Sequence, residues 1–128
     1  DFLKDLEKNR IKKAVGSASK NAGIIIRRLN LTDFFEVLID GNHVTKAKPD
    51  PEIFLTVAGA LKSKPQECVV FEDAQAGIAA ARAGSMKSIG VGDPEVLCEA
   101  DFVIRNFKMV TWRDINNKLT NKTKINID

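Results

Sequence analysis

Short apolar runs alternate along this chain with longer segments in which apolar residues recur every three or four positions. The runs predict β-strands at about 11–16, 35–39, 68–71, 87–91 and 102–105. The longer segments predict helices at 1–9, 21–29, 51–62, 74–83 and 112–119, with a short one at 95–99. Strands that alternate with helices build a mostly parallel sheet covered on both faces. We therefore predict a three-layer, Rossmann-like α/β domain, and 128 residues are enough for one such core.

Charge and composition argue against several classes of function. The net charge of +3 is mild and no basic stripe with interleaved aromatic residues occurs, so we do not expect nucleic-acid binding. The apolar runs are too short to span a membrane, and no signal peptide is visible. Two isolated cysteines, Cys68 and Cys98, are expected to be reduced thiols in a cytoplasmic protein.

In a parallel sheet of this kind, ligands bind beyond the carboxyl ends of the strands, where loops lead into helix N-termini. The first such end is "GSASKN" at 16–21. Its small residues let the backbone approach a ligand closely, and the helix N-terminus that follows favours an anion. Two serine hydroxyls and Lys20 would complete a phosphate-binding loop. The alternative is that Ser19 or Asn21 only caps the helix.

A lysine precedes the third long helix. Lys48, the first residue of "KPDPEIF", lies just before a helix that Asp50 could cap and Pro51 could begin. Pro49 biases Lys48 towards an extended backbone. A lysine held in this way could neutralise a phosphate and a nearby carboxylate. The alternative, a solvent-facing lysine in a polar loop, stays open on this segment alone.

Two acids, Glu72 and Asp73, end an apolar strand and are followed by an alanine-rich helix. Neighbouring carboxylates repel each other unless a cation or a proton holds them together. Oxygen ligands at a strand end suit Mg²⁺, which takes one or two carboxylates together with waters and substrate phosphate. The alternative is a pair of acids that favours the helix dipole, which explains Asp73 better than Glu72.

A hydroxyl, a lysine and an acid pair, in this order at three strand ends, resemble the second, third and fourth motifs of the haloacid dehalogenase superfamily of phosphoryl-transfer enzymes. Ser17, Lys48 and Glu72–Asp73 occupy those motifs. Within the superfamily, the β-phosphoglucomutase family is similar in wording at "GSASKN", "KPDPEIF", "FEDAQAGIAAARAG" and "IGVGDPEVLCEADFVI". The resemblance extends over residues 1–108 and implies the haloacid dehalogenase type of sheet.

The resemblance also implies an activity and a set of roles. The activity is a Mg²⁺-dependent interconversion of β-D-glucose 1-phosphate and glucose 6-phosphate through a phospho-aspartate, with a small sugar phosphate as the partner. Ser17 and the Ala18 backbone N–H would hold the transferred phosphoryl group, and Lys48 would balance its charge. A second phosphate site would be formed by Ser19, Lys20 and Asn21. The metal ligands would be Glu72 and Asp73.

The chain departs from the family in one respect that matters for chemistry. The family's first motif, Asp-x-Asp, carries the nucleophile and is followed by a helical cap, and neither occurs in these 128 residues. The resemblance therefore predicts a sheet without its first strand, with a gap between the strands that end at Ser17 and Glu72. It also predicts that this chain alone is inactive, because covalent phosphoryl transfer needs a nucleophile.

The beginning of the sequence supports this expectation. Asp1 falls within a helical pattern and no initiator methionine is present, so we expect a piece of a longer protein. On that basis, residues 1–10 would end a connection from cap to core, 11–120 would form the later part of the core, and 121–128 would be a polar tail. A preceding segment or a second copy of the chain would then complete the sheet.

Three other functions stay open on the sequence. A sugar-phosphate phosphatase of the same superfamily would share most of the motifs, although it needs no second phosphate site such as the one in "SASKN". A non-catalytic module that binds phosphate and Mg²⁺ would explain the absence of Asp-x-Asp. A receiver-type signalling domain also combines paired acids with a lysine, but in the reverse order along the chain.

Overall fold

The computed structural model describes residues 2–120 and 126–127. The helices and strands follow one another in the order α1 Phe2–Lys8, β1 Ala14–Gly16, α2 Ala22–Arg28, β2 Val37–Ile39, α3 Glu52–Ala60, β3 Val69–Glu72, α4 Gln75–Ala83, β4 Lys87–Val91, β5 Phe102–Ile104, α5 Trp112–Thr120 and β6 Asn126–Ile127, and they alternate except between β4 and β5. Short 3₁₀ turns occur at Thr32–Phe34 and Pro65–Glu67. Among the described helices, none has the length and apolar character needed to cross a membrane.

The strand pairs among the described residues are all parallel, and these strands form two sheets. One has the order β1-β2 and the other the order β3-β4-β5-β6. Val15 of β1 lies opposite Leu38, and Phe71 of β3 lies opposite Ile89. Within residues 2–120 and 126–127, no strand pairs with the second edge of β1 or of β3. The sheet is thus interrupted between the two strands where the resemblance predicted a gap.

Helices cover both faces of the four-stranded sheet, as the three-layer prediction requires. On one face, α3 and α4 pack against β3 through a buried cluster of Ile53, Phe54, Ala58, Val70, Ala80, Ala81 and Met86. On the other face, α1 and α5 pack through Phe2, Leu6, Ile89, Phe102, Ile104 and Ile115. Because neighbouring residues of a strand point to opposite faces, Val70 joins the first cluster and Phe71 borders the second. Helix α3 also contacts β1 and β2, so it packs against both sheets.

The continuous apolar run of β5 follows from this layering. Phe102 and Ile104 face α1 and α5, whereas Val103 faces the opposite layer with Ile78 and Leu97. All three residues of β5 are buried. A parallel strand that is covered on both sides has no solvent-facing position, which is why its sequence does not alternate between apolar and polar residues.

The predicted short helix at 95–99 is wrong, because this segment forms successive turns. Its hydrogen bonds are local: Asp93 Oδ1 accepts from the Glu95 N–H at 2.9 Å, and the Asp93 carbonyl accepts from the Leu97 N–H at 3.0 Å. A single turn of helix fixes several residues for one hydrogen bond, so it does not propagate without further favourable contacts. Burial of Leu97 instead decides the path of this segment.

Several element ends also differ from the prediction. Strands β1 and β2 begin later than expected, at Ala14 and Val37. Just before them, the Glu36 N–H donates to the Lys13 carbonyl at 2.8 Å and the Glu36 carboxylate accepts from the Lys13 N–H. At the other end of the chain, Asn126–Ile127 form β6 beside β5, inside the segment predicted to be a polar tail. The rest of 121–128 lies outside the described residues.

Candidate functional site

Lys48 and Glu72, predicted separately from two motifs, contact each other in the structure. The Lys48 ammonium lies 2.8 Å from Glu72 Oε2, and the two side chains are 19% and 11% exposed. Glu72 Oε1 accepts hydrogen bonds from the backbone N–H groups of Asp73 and Ala74, at 3.0 and 3.2 Å. The Lys48 ammonium also lies 4.8 Å from the centre of the Phe54 ring. Lys48 is therefore not the solvent-facing lysine of the alternative interpretation.

The Glu72 carboxylate occupies space left by a glycine. Gly77 is buried in the first turn of α4, and a Cβ atom at this position would overlap the Glu72 carboxyl group. Gly77 was not predicted as a site residue. A glycine five residues after Glu72, within an otherwise alanine-rich helix, was the available signal.

The 17–21 loop leaves the end of β1 and is folded on itself. The Ser17 N–H donates to the Ile39 carbonyl at 2.9 Å, which fixes the loop to the end of β2. Ser17 Oγ then accepts from the Ser19 N–H at 3.2 Å, and Ser19 Oγ accepts from the Asn21 N–H at 3.1 Å. Asn21 precedes α2 but makes no side-chain capping bond, so capping does not account for its side chain.

Two donors of this loop remain available for a ligand. Ala18 and Lys20 are exposed, and within the described part of the chain neither the Ala18 N–H nor the Lys20 ammonium has a hydrogen-bond acceptor. The loop rests on Gly41: its N–H donates to the Ser19 carbonyl at 3.4 Å, and a Cβ there would overlap the Ala18 carbonyl oxygen. Gly41 was not predicted as a site residue, since nothing local to it in the sequence marks its contact with the 17–21 loop.

Asp73 and Glu72 differ in their availability to a metal ion. Asp73 is exposed, whereas both oxygens of Glu72 are engaged by Lys48 and by backbone N–H groups. Across residues 2–120 and 126–127, no group of three histidine, cysteine or acidic side chains could hold a metal ion. The two carboxylates fit Mg²⁺ in chemical type, because this ion takes oxygen ligands and is often bound through only one or two carboxylates.

A third carboxylate, Glu52, organises the loop that carries Lys48. Its oxygens accept from the Thr45 N–H at 2.7 Å, from Thr45 Oγ1 at 2.9 Å and from the Lys46 N–H at 3.1 Å. The hydrogen bond from the Thr45 backbone lowers the pKa of Glu52 below its ordinary value, and the positive charge of Lys46 acts in the same direction. Helix α3 begins at Glu52, one residue later than predicted, and Asp50 Oδ1 accepts the Glu52 N–H at 3.0 Å.

The predicted residues therefore form two groups. One is the loop 17–21 at the end of the two-stranded sheet, and the other is Lys48, Glu72 and Asp73 at the end of β3 in the four-stranded sheet. In the described part of the chain, no hydrogen bond or ion pair joins the first group to Lys48 or Glu72. A groove of about 620 Å³ between α4 and the 96–99 turn contains none of these residues.

Comparison with known proteins identifies the family. The model of the haloacid dehalogenase-like hydrolases matches residues 1–84. The chain belongs to this family. It is 40% identical over 110 residues to the β-phosphoglucomutase of Bacillus subtilis (strain 168), a match that covers 86% of this chain and 49% of that protein. It also superposes on the crystal structure of β-phosphoglucomutase from Clostridium difficile with a TM-score of 0.89 and 38% identity, covering 93% of this chain and 53% of that one.

A phosphatase is similar to this chain as well. The validoxylamine A 7'-phosphate phosphatase of Streptomyces hygroscopicus subsp. limoneus is 32% identical over 120 residues, which is 90% of this chain and 56% of that protein. The chain spans about half the length of the relatives it matches. The resemblance predicted from the motifs is thus confirmed at the level of the family and of the similarity to its β-phosphoglucomutase members.

Proposed function

We propose that this chain supplies the phosphate-binding and charge-balancing part of a Mg²⁺-dependent β-phosphoglucomutase. The reaction is the interconversion of β-D-glucose 1-phosphate and glucose 6-phosphate through a phospho-aspartate. The observation that carries the proposal is the Lys48–Glu72 pair of 2.8 Å at the carboxyl end of β3, with Asp73 exposed beside it. The similarity to two β-phosphoglucomutases favours this reaction within the family.

Each residue has a role that its environment suits. Ser17 and the Ala18 N–H, which has no acceptor among the described residues, bind the phosphoryl group that is transferred, in the loop that Gly41 supports. Lys48 neutralises charge at the reacting phosphate, because Glu72 and its loop keep the ammonium at one place. Ser19, Lys20 and Asn21 bind the second phosphate of a sugar bisphosphate, for which the exposed Lys20 ammonium supplies positive charge.

Mg²⁺ completes the charge balance in this proposal. Asp73 is the direct ligand and Glu72 the supporting one, since the Glu72 oxygens already accept three hydrogen bonds from protein groups. When bound, the ion neutralises the charge of the phosphoryl group and of the attacking carboxylate.

The nucleophile has to come from outside these 128 residues, which contain no Asp-x-Asp. We infer that the chain alone does not turn over. An extended segment, either preceding residues of the same protein or a second copy, would pair with the edges of β1 and β3 that no described strand occupies. The two cysteines are unpaired, which agrees with a reducing, cytoplasmic location.

A fusion enzyme tests this proposal. The chain is joined behind the part of the Bacillus subtilis relative that precedes the matched region, and β-D-glucose 1-phosphate is supplied with Mg²⁺. We expect glucose 6-phosphate from the fusion, detected with glucose-6-phosphate dehydrogenase, and none from the 128-residue chain. The fusion with Lys48→Ala should lose most of this activity. Glucose 6-phosphate formed by the unfused chain would refute the inferred inactivity.

A sugar-phosphate phosphatase is the second candidate, favoured by the similarity to the Streptomyces phosphatase. The two reactions differ in product, because a phosphatase releases inorganic phosphate and a mutase keeps it on the sugar. A fusion that releases phosphate without forming glucose 6-phosphate would replace the mutase by the phosphatase. Lys20→Ala gives a second distinction: it should reduce mutase turnover more than hydrolysis of a simple phosphate ester.

A further inference from the structure

The loop from 45 to 52 is closed by one side chain. The Glu52 carboxylate reaches back seven residues to accept hydrogen bonds from Thr45 and six residues to accept one from Lys46. Lys48 lies between the two ends that these bonds join. Other bonds hold Glu52 itself in place: its N–H donates to Asp50 Oδ1 at 3.0 Å, and its carbonyl accepts from Thr56 Oγ1 at 2.7 Å.

We propose that Glu52 is a positioning residue for Lys48, because its carboxylate closes the loop from which the lysine extends to Glu72. A lysine side chain is long and flexible, and ordering it costs conformational entropy. Fixing the backbone on both sides of Lys48 reduces the number of places that its ammonium can reach. The catalytic meaning of this inference rests on the proposed function, but the contact between Lys48 and Glu72 can be measured without it.

A simpler account of Glu52 makes a different prediction. An acid in the first turn of a helix interacts favourably with the helix dipole, and Glu52 is the first residue of α3. In that account, removal of the carboxylate lowers the stability of α3 and leaves Lys48 where it is. The four hydrogen-bond contacts with Thr45 and Lys46 lie outside α3 and are not needed for a dipole effect.

The position of Lys48 can be read by NMR in the 128-residue chain. Because its ammonium lies 4.8 Å from the centre of the Phe54 ring, the ring current shifts the neighbouring ε-CH₂ protons away from the free-lysine position. Lysine labelled with ¹³C makes this signal visible, and Lys48→Arg assigns it by removing it. Amide hydrogen exchange at Thr45 and Lys46 reports the closure of the loop in the same sample.

Two substitutions and one matched control separate the two accounts. In Glu52→Ala, we expect the Lys48 ε-CH₂ signal to move to the free-lysine position and the Thr45 amide to exchange about ten-fold faster or more. Glu52→Gln keeps one carbonyl acceptor and should give a smaller change of the same sign. The control is Glu67→Ala: Glu67 accepts the Lys64 N–H at 3.1 Å in a remote 3₁₀ turn, so its loss should leave the Lys48 signal unchanged.

An unmoved Lys48 signal in both Glu52 variants would overturn the inference, even if the variants were less stable, because only the dipole account predicts that result. Failure of the proposed function gives a different pattern. In that case the fusion enzyme makes no glucose 6-phosphate with wild-type residues, whereas the Lys48 signal still responds to Glu52 and not to Glu67.

Discussion

Addition of one methyl group at Gly77 should disturb the Lys48–Glu72 ion pair, because the methyl group would contact the Glu72 side chain. The Cβ atom of an alanine would overlap the Glu72 carboxyl group, which is held on its other side by Lys48 and by two backbone N–H groups. The backbone at Gly77 is fixed in a packed helix, so the Glu72 side chain is the part that has to move. Gly77→Ala should therefore displace Glu72 from its hydrogen bonds.

Two opposing effects set the magnitude. Replacement of a helical glycine by alanine usually stabilises a protein by about 0.5–1 kcal/mol. Loss of hydrogen bonds to a charged group costs about 1.5–3 kcal/mol, and Lys48, only 19% exposed, would lose its partner at the same time. The second effect is the larger, so we expect Gly77→Ala to lower the free energy of unfolding by about 1–2 kcal/mol.

Urea unfolding of matched variants measures this difference. The control is Gly59→Ala in α3, where an added Cβ would meet no atom within 4 Å; it should stabilise the protein. In a Glu72→Ala background the overlap disappears, and Gly77→Ala should then stabilise as well. A Gly77→Ala protein that is as stable as the Gly59→Ala protein would refute the proposed overlap and the argument built on it.

Three further outcomes follow from the structure. Burial raises the pKa of the Cys68 thiol, so iodoacetamide at pH 8 should label the exposed Cys98 first; equal labelling in peptide maps would contradict this. The pKa of Glu36 lies below its ordinary value, because burial raises it by less than the hydrogen bonds with Lys13 lower it. The stability lost in Glu36→Gln should therefore shrink as the pH falls from 6 to 3 and the native carboxylate is protonated. A difference that stays constant with pH would contradict this. Ile115→Ala, at a fully buried position, should cost about 2–5 kcal/mol in thermal or urea unfolding, and a cost below 1 kcal/mol would mean that α5 is loosely packed.

The order of helices and strands could be predicted from the sequence because burial leaves a periodic pattern. The run at 102–104 is apolar throughout since both of its faces are covered, and α4 places Ala80 and Ala81 against the sheet without exposure. The segment 95–99 could not be predicted in this way. Its apolar residues suit one helical turn, but local bonds to Asp93 and the burial of Leu97 determine its path.

In the candidate site, the positions of the motif residues could be predicted from the sequence, but those of the supporting glycines could not. The positions of Ser17 and Glu72 at strand ends, and of Lys48 before a helix, could be predicted because apolar runs precede the first two and a helical pattern follows the third. Their supporting residues could not be found in the same way, because Gly41 and Gly77 matter only through contacts with other segments. Nothing in the sequence shows that a Cβ at either position would overlap a site atom.

The interruption of the sheet relates the 17–21 loop to the group formed by Lys48, Glu72 and Asp73. The loop 17–21 follows β1 on one side of the interruption, whereas Glu72 ends β3 on the other, and α3 packs against both sides. Lys48 comes from the loop before α3 and contacts the Glu72 side directly. In the proposed function, an extended segment that pairs in parallel with the edges of β1 and β3, which are unpaired among the described residues, would carry its last residue to the place between the 17–21 loop and Lys48. A nucleophile at that place could reach a phosphoryl group bound by Ser17 and Lys48, so we propose that one segment supplies both the additional strand and the nucleophile.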